Sequence, residues 1–354
     1  MNSTEASTAS LPAFLPWQED VAQSWLRQGE RFAHAWLIHG LQGIGKKQFA
    51  LAAAASLLCE HPRQGLACGG CPACLWVAGG NHPDLRRVRP DAMALEEGGP
   101  AADEESAGAA SAKKAPSKDI RIEQLRALGS WFNTATHRGG WRVAVIYPAR
   151  AMNVITANAL LKVLEEPPAH TVFLLVADAP DRLLPTLVSR CRRLPLPVPG
   201  KDEARAWLRQ QGVADADQWL AAAGGAPLLA RDLAQSGSQP CPEWLSSLAE
   251  ALASGGAEAG QWADQIEKQA PETWIDALQR LFVDLLLAAS GAPVRYFPAL
   301  QAQAGKIAAH ASRQRLGEAA RWLAQQRAIA GHPLNAKLFA HSALQRIVAA
   351  CSPQ

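Results

Sequence analysis

Two rhythms of apolar and polar positions divide the chain. In the first half, short apolar runs stand at 35–39, 85–89, 142–147 and 171–177, and helical stretches separate them. That alternation predicts a mostly parallel sheet flanked by helices. Between the second and third runs, Ile122, Leu125, Leu128 and Phe132 fall at helical spacing, which predicts an amphipathic helix over 119–136. The rhythm changes after "RRLPLPVPG", where Pro195, Pro197 and Pro199 cannot continue a sheet interior and suit a linker. From Lys201 onward the periodicity is helical only, broken at "GGAP", "SGSQP", "ASGG" and "SGAP". Three modules are expected: an α/β domain over 1–197, a small helical lid-like domain over 198–239, and an all-helical domain over 240–354.

One stretch fits neither rhythm. "GGPAADEESAGAASAKKAPSKD" is poor in bulky apolar residues and cannot bury enough surface to offset its ordering entropy. A disordered loop insertion is expected over 91–118. Residues 91–119 carry seven acidic residues and three lysines, a net −4, so the rest of the chain stands at +7 against an overall +3. A mildly basic body suits a nucleic-acid partner without requiring one. With 48% hydrophobic and 19% charged residues the composition is that of an ordinary globular protein. No run reaches the ~20 apolar residues of a membrane span, so no membrane partner is expected. "MNSTEASTAS" has neither the basic nor the apolar region of an export signal, and a cytoplasmic location follows as the expectation.

Four of the seven cysteines, Cys59, Cys68, Cys71 and Cys74, have the spacing C-x8-C-x2-C-x2-C. Two-residue gaps let thiolates converge on one tetrahedral ion, and four thiolates leave no open position for a catalytic water. Structural Zn2+ is the expectation. Chance clustering of small core residues and a redox C-x-x-C are the alternatives, and the second would leave two cysteines unused. Cys191, Cys241 and Cys351 lie far apart and are expected to be buried thiols.

"GLQGIGKK" follows the first apolar run and precedes an Ala-rich helical run, the strand, Gly-rich turn, Lys, helix order of a P-loop. Gly40, Gly43, Gly45 and Lys46 keep the phosphate cradle. Lys47 stands where the motif needs a Ser or Thr for Mg2+, and an ammonium has donors only. The second magnesium anchor should be an acid ending an apolar strand; the run at 142–147 ends in Tyr147-Pro148. Hydrolysis and a Mg2+ site are therefore not expected, and metal-poor ATP binding through Lys46 stays open. A plain strand-to-helix turn is the alternative for the glycine loop.

"ANALLKVLEEPP" (157–168) and "LVSRC" (187–191), with the cysteine spacing and "GNHPDL" (80–85), resemble the clamp-loader subunits of bacterial DNA polymerase III, members of the AAA+ class. The match runs from about Ala33 to Arg192. The degenerate nucleotide motifs favour the delta-prime branch over the ATP-hydrolysing gamma/tau branch. The resemblance implies an AAA+ α/β P-loop domain with an inserted zinc module, then a small helical domain and an all-α collar. It implies a heteropentamer with gamma/tau and delta subunits that loads the sliding clamp on primer–template DNA. It also implies that Arg190 of "SRC" reaches in trans to a γ-phosphate held by a neighbour, as an arginine finger. Pro227 and Ala177-Asp178 stand where active relatives carry sensor residues. An active gamma/tau-like ATPase is the alternative, against which Lys47, Tyr147 and Pro148 speak. A zinc-knuckle nucleic-acid protein is a third reading, opposed by the lack of Lys and Arg in "ACGGCPACLWVAGG". Glu165 and Glu166, placed against the dipole at a helix C-terminus, either answer to a basic group nearby or form a solvated end with Lys162 partly compensating.

Overall fold

The computed structural model describes residues 10–28, 32–98, 115–132, 134–137, 139–331 and 335–353. The chain divides into two compact units, Met1–Val198 and Pro199–Gln354.

The first unit is built on a five-stranded sheet in the order β2-β3-β4-β1-β5. Its strands are β1 (Ala35–His39), β2 (Leu85–Val88), β3 (Arg142–Ile146), β4 (Thr171–Ala177) and β5 (Arg192–Pro195). Every pairing is parallel. β3 and β4 are buried along their whole length, which is why they read as unbroken apolar runs. β5 was not among the expected apolar runs, and its last residue, Pro195, is the first proline of the expected linker. It pairs with β1, Trp36 to Arg192 through His39 to Pro195. At the edge of a sheet, exposed arginines and a terminal proline are tolerated.

The helices of this unit are α1 (Glu19–Leu26), α2 (Lys46–Leu58), α3 (Pro72–Ala78), α4 (Asp91–Glu96), α5 (Ile122–Phe132), α6 (Val154–Glu165) and α7 (Pro185–Ser189). Because side chains alternate along a strand, Ala35, Leu37, Ala144, Ile146, Phe173 and Leu175 share one face. There they pack with Leu125, Leu128, Leu160, Leu164 and Leu187 of α5, α6 and α7. α2 lies against β1, β3 and β4. Its alanines 52–55 and Phe49 are buried all round, so it lacks the polar stripe of a surface helix.

α4 corrects the expected 91–118 loop at its start. Asp91–Glu96 is helical, held by Arg121 at 3.1 Å from Asp91 and by Gln124 Nε2 donating to the Arg89 carbonyl at 2.9 Å. These long-range contacts supply what local composition does not. Residues 99–114 of the expected loop lie outside the described residues.

The second unit is helical throughout its described residues. α8 (Lys201–Gln210), α9 (Ala216–Ala222) and α10 (Pro227–Gln235) pack on one another. α11 (Glu243–Ser254), α12 (Ala259–Ile266), α13 (Pro271–Ala288), α14 (Gln301–His310), α15 (Arg313–Ile329) and α16 (Ala336–Cys351) share one core. Asp284 of α13 is fully buried, and its carboxylate accepts the backbone N–H groups of Arg295, Tyr296 and Phe297 at 2.7–3.1 Å, which fixes the turn before α14. No helix among the described residues is long and apolar enough to cross a membrane.

Candidate functional site

In a parallel sheet the carboxyl ends of the strands are where ligands are received. β1 ends at His39, and Gly40 to Gly45 turn the chain into the N-terminus of α2. Gly45 is left-handed at φ 90°, and a Cβ there would run into Leu15 and Gln18. Those residues belong to a segment preceding α1 that is bonded to the loop. Gln18 Nε2 donates to the carbonyls of Ile44 and Gly45, both at 3.0 Å, and Trp17 Nε1 to that of Ile44 at 3.1 Å. The glycine loop is thus a tight strand-to-helix turn, and its Ile44 and Gly45 carbonyls are held by the chain itself.

The lysine of the loop is held too. Lys46 is 5% exposed; its Nζ donates to the Leu41 carbonyl at 2.6 Å and lies 2.8 Å from Asp178 Oδ1. Asp178 follows the last residue of β4, and Ala177 is the register partner of His39 on β1. The carboxylate therefore stands beside the mouth of the loop because the two strands are neighbours. Of the three donors of the ammonium, one goes to the Leu41 carbonyl, and the Asp178 carboxylate meets its charge.

Lys47 reaches Glu97, Nζ to Oε1 at 3.2 Å, and its ammonium stands 6.0 Å from the centroid of the Tyr147 ring. The same carboxylate receives a hydrogen bond from the Tyr147 hydroxyl at 2.7 Å. Arg89 Nε lies 2.9 Å from Glu97 Oε2, an ion pair by distance that is not aligned as a hydrogen bond. Burial raises the Tyr147 phenol above its ordinary range, with Arg89 opposing and Glu97 adding to the rise. Glu97 and the pairing role of Asp178 were not expected from sequence. The available signals were the helical pattern of "DAMALE" ahead of Glu97 and an acid standing one residue past an apolar strand.

The four cysteines come together as expected. Their sulfurs lie within 4.8 Å of one another, with Cys59 to Cys71 at 3.9 Å and Cys68 to Cys74 at 4.0 Å. Four sulfurs about 2.3 Å from a central ion stand about 3.8 Å apart at tetrahedral angles, so the set could hold a metal ion. The N–H of Cys68 points at the Cys59 sulfur at 3.2 Å and that of Cys74 at the Cys71 sulfur at 3.5 Å. The N–H groups of Gly70 and Cys71 pull the Cys68 thiol down to about 6. Burial pushes Cys59 and Cys74 up. A dication would favour the thiolate at all four. Of the remaining thiols, Cys191 and Cys351 are buried and pushed up to about 12, whereas Cys241 is only half-buried, since its side chain faces the Ser246 hydroxyl at the start of α11.

Arg190 lies away from the loop. It caps α7, with Nη1 donating to the Thr186 carbonyl at 3.0 Å and Nη2 donating to Glu165, the last residue of α6. Its side chain is 35% exposed. Of the two acids set against the α6 dipole, Glu165 answers to this guanidinium.

Residues 18–199, just over half of the chain, match the family model described as DNA polymerase III, delta subunit. The DNA polymerase III subunit delta' of Pseudomonas aeruginosa is 39% identical over 62% of this chain and 60% of its own length. That of Yersinia pestis is 32% identical over 75% of this chain and 71% of its own. The DNA polymerase III subunit tau of Salmonella typhimurium is 33% identical over 46% of this chain and 21% of its own. The chain thus spans 60% of the length of the Pseudomonas relative. Among solved structures, a gamma subunit-related protein of Thermotoga maritima covers 94% of this chain and 99% of its own at 17% identity, with a TM-score of 0.43, a likeness too distant to bear on the fold. Carrying a glycine loop whose lysines answer to its own carboxylates, the chain belongs to the delta-prime subunit family of DNA polymerase III.

Proposed function

We propose that the chain works as the non-hydrolysing delta-prime member of a clamp-loader assembly in the cytoplasm. It braces the ring, joins gamma/tau and delta subunits through its C-terminal helices as a collar, and lends Arg190 to the ATP site of an adjacent gamma/tau subunit. The assembly opens the sliding clamp and loads it on primed DNA. In this reading the α/β unit is of the AAA+ class, α8 to α10 form its lid-like module, and the four cysteines hold a structural zinc.

One contrast carries the reading. Lys46, the cation that a P-loop offers to phosphate, is buried and ion-paired with Asp178, while the Arg190 guanidinium, paired with Glu165, remains one-third open to solvent. A buried ammonium whose charge is met at 2.8 Å has little to offer a phosphate. Tyr147, Arg89 and Lys47 crowd the Glu97 carboxylate, and a carboxylate paired with two cations is a poor ligand for a third. Arg190 has spare donors, and an arginine supplied in trans can raise phosphoryl-transfer rates ~10³–10⁵-fold.

The test uses the complex rebuilt with its tau-type subunits and clamp. Arg190→Ala is expected to assemble normally and to cut clamp-stimulated ATP hydrolysis, and an unchanged rate would show that Arg190 is no finger. The isolated chain is expected to turn over no ATP; robust magnesium-dependent turnover would favour a gamma/tau-like ATPase instead.

A further inference from the structure

The C-terminus of a helix is an unfavourable place for a carboxylate, because the aligned peptide dipoles leave partial negative charge there. Glu165 is the last residue of α6 and is half-exposed, free to turn into water. It bonds Nη2 of Arg190 instead. The other terminal nitrogen, Nη1, donates to the Thr186 carbonyl at 3.0 Å. Two anchors on different elements therefore fix one guanidinium.

The anchors themselves are held by the core. Leu160 and Leu164 of α6 and Leu187 and Val188 of α7 are buried in the same cluster. The carbonyl of Leu164 also pairs with the His34 ring at 3.1 Å. The ends of the two helices cannot separate without opening this packing, so the spacing between Glu165 and Arg190 is set by buried leucines. An arginine has five N–H donors in a rigid planar fork. Glu165 and Thr186 use two of them, and three remain for an anion. Glu165 can thus orient the guanidinium and still leave it able to bind phosphate oxygens.

We propose that Glu165 is a positioning residue for Arg190: it holds the guanidinium in one rotamer at the surface, so that the remaining donors meet the phosphate oxygens of a nucleotide bound by the neighbouring subunit. The proposal rests on the reading of Arg190 as an arginine acting in trans. Without Glu165 the long side chain regains its rotamers and spends less time in the acting one. Ordering of this kind acts on the chemical step more than on nucleotide affinity, and its loss is worth about threefold or more in rate.

The rebuilt complex decides the matter with four variants of this chain: Arg190→Ala, Glu165→Ala, Glu165→Gln and the double Glu165→Ala/Arg190→Ala. Clamp-stimulated ATP hydrolysis is followed against ATP concentration to separate kcat from KM. Glu165→Ala is expected to lower kcat about threefold or more with KM and assembly unchanged. Glu165→Gln, whose amide oxygen still accepts from Nη2, should recover most of the loss. The double variant should match Arg190→Ala alone. Full or raised kcat in Glu165→Ala beside a reduced Arg190→Ala overturns the positioning role and leaves the trans-acting arginine standing. A double variant slower than Arg190→Ala also overturns it, since Glu165 would then act by another route. Full kcat in Arg190→Ala removes the reading underneath. Should Glu165→Ala fail to assemble, Glu165→Asp carries the comparison: one methylene shorter, it must fall below Glu165→Gln in kcat, and equality overturns the proposal.

Discussion

The pairing of Lys46 with Asp178 sets a measurable asymmetry. At 2.8 Å and an effective dielectric constant of about 20, the Coulomb attraction is about 6 kcal/mol before desolvation. Lys46 is 5% exposed and has given up most of its water, whereas Asp178 is 38% exposed. Removing the acid strands a buried ammonium, which costs about 3–5 kcal/mol in a fully buried pair and less here, because solvent reaches the carboxylate. About 2 kcal/mol is expected for Asp178→Ala. Asp178→Asn, which still offers an oxygen, should lose about 1 kcal/mol. Lys46→Met leaves only a solvated aspartate behind, and its cost should stay below about 1 kcal/mol. The double variant should resemble Lys46→Met, giving a coupling of about 2 kcal/mol, the full cost of Asp178→Ala. Calorimetry of the first unit's transition reads this as a fall of about 4–8 °C in Tm for Asp178→Ala. If Asp178→Ala costs under about 0.5 kcal/mol, or Lys46→Met costs more than Asp178→Ala, the carboxylate does not hold this lysine.

Three further outcomes can be measured at Glu97 and at the cysteines. Glu97→Ala deprives the buried Arg89 guanidinium of its counter-charge and the buried Tyr147 hydroxyl of its acceptor, and about 2–3 kcal/mol should be lost in urea unfolding, with Glu97→Gln near half that; no measurable loss would mean water replaces the carboxylate. The purified chain should carry about one zinc, and Cys71→Ser about none, by elemental analysis. In the metal-stripped chain the thiolate of Cys68, held near 6, gains population as pH rises through that value, so iodoacetamide should label it by about pH 7. Cys191 and Cys351, pushed to about 12, should stay unlabelled until the chain unfolds, and equal labelling would contradict the geometry.

How much could be read beforehand depended on whether a signal was local. β4 was legible to the residue at 171–177, because a strand buried on both faces must be apolar throughout. The cysteine spacing named its four members, since two of the gaps are short enough to force convergence. β5 was not legible: Arg192 and Arg193 are exposed there, and what makes the segment a strand is its pairing with β1. α4 was hidden by the low-complexity residues after it, and by anchors at Arg121 and Gln124 that lie beyond the insertion. The glycine turn between β1 and α2 was recognisable from its residues. That its two lysines are both paired within the chain could not be read, because the partners come from the ends of other elements and meet it only through the strand order.

That strand order also explains how a site can close without losing its shape. Lys46 and Lys47 begin α2, the buried helix on one face of the sheet, and truncating the buried Lys46 would leave a gap beside Leu41. Supplying anions from adjacent strand ends keeps the side chains and satisfies them in place. Asp178 arrives with β4. Glu97 arrives with α4, after β2. At both lysines of the glycine loop the chain thus supplies the opposite charge itself. The geometry of α6 and α7 on the opposite face, and with it the placement of Arg190, rests on the leucine core that the sheet supports. Glu165, Thr186 and the buried leucines of α6 and α7 hold the Arg190 guanidinium, while Asp178 and Glu97 answer the two lysines of the glycine loop.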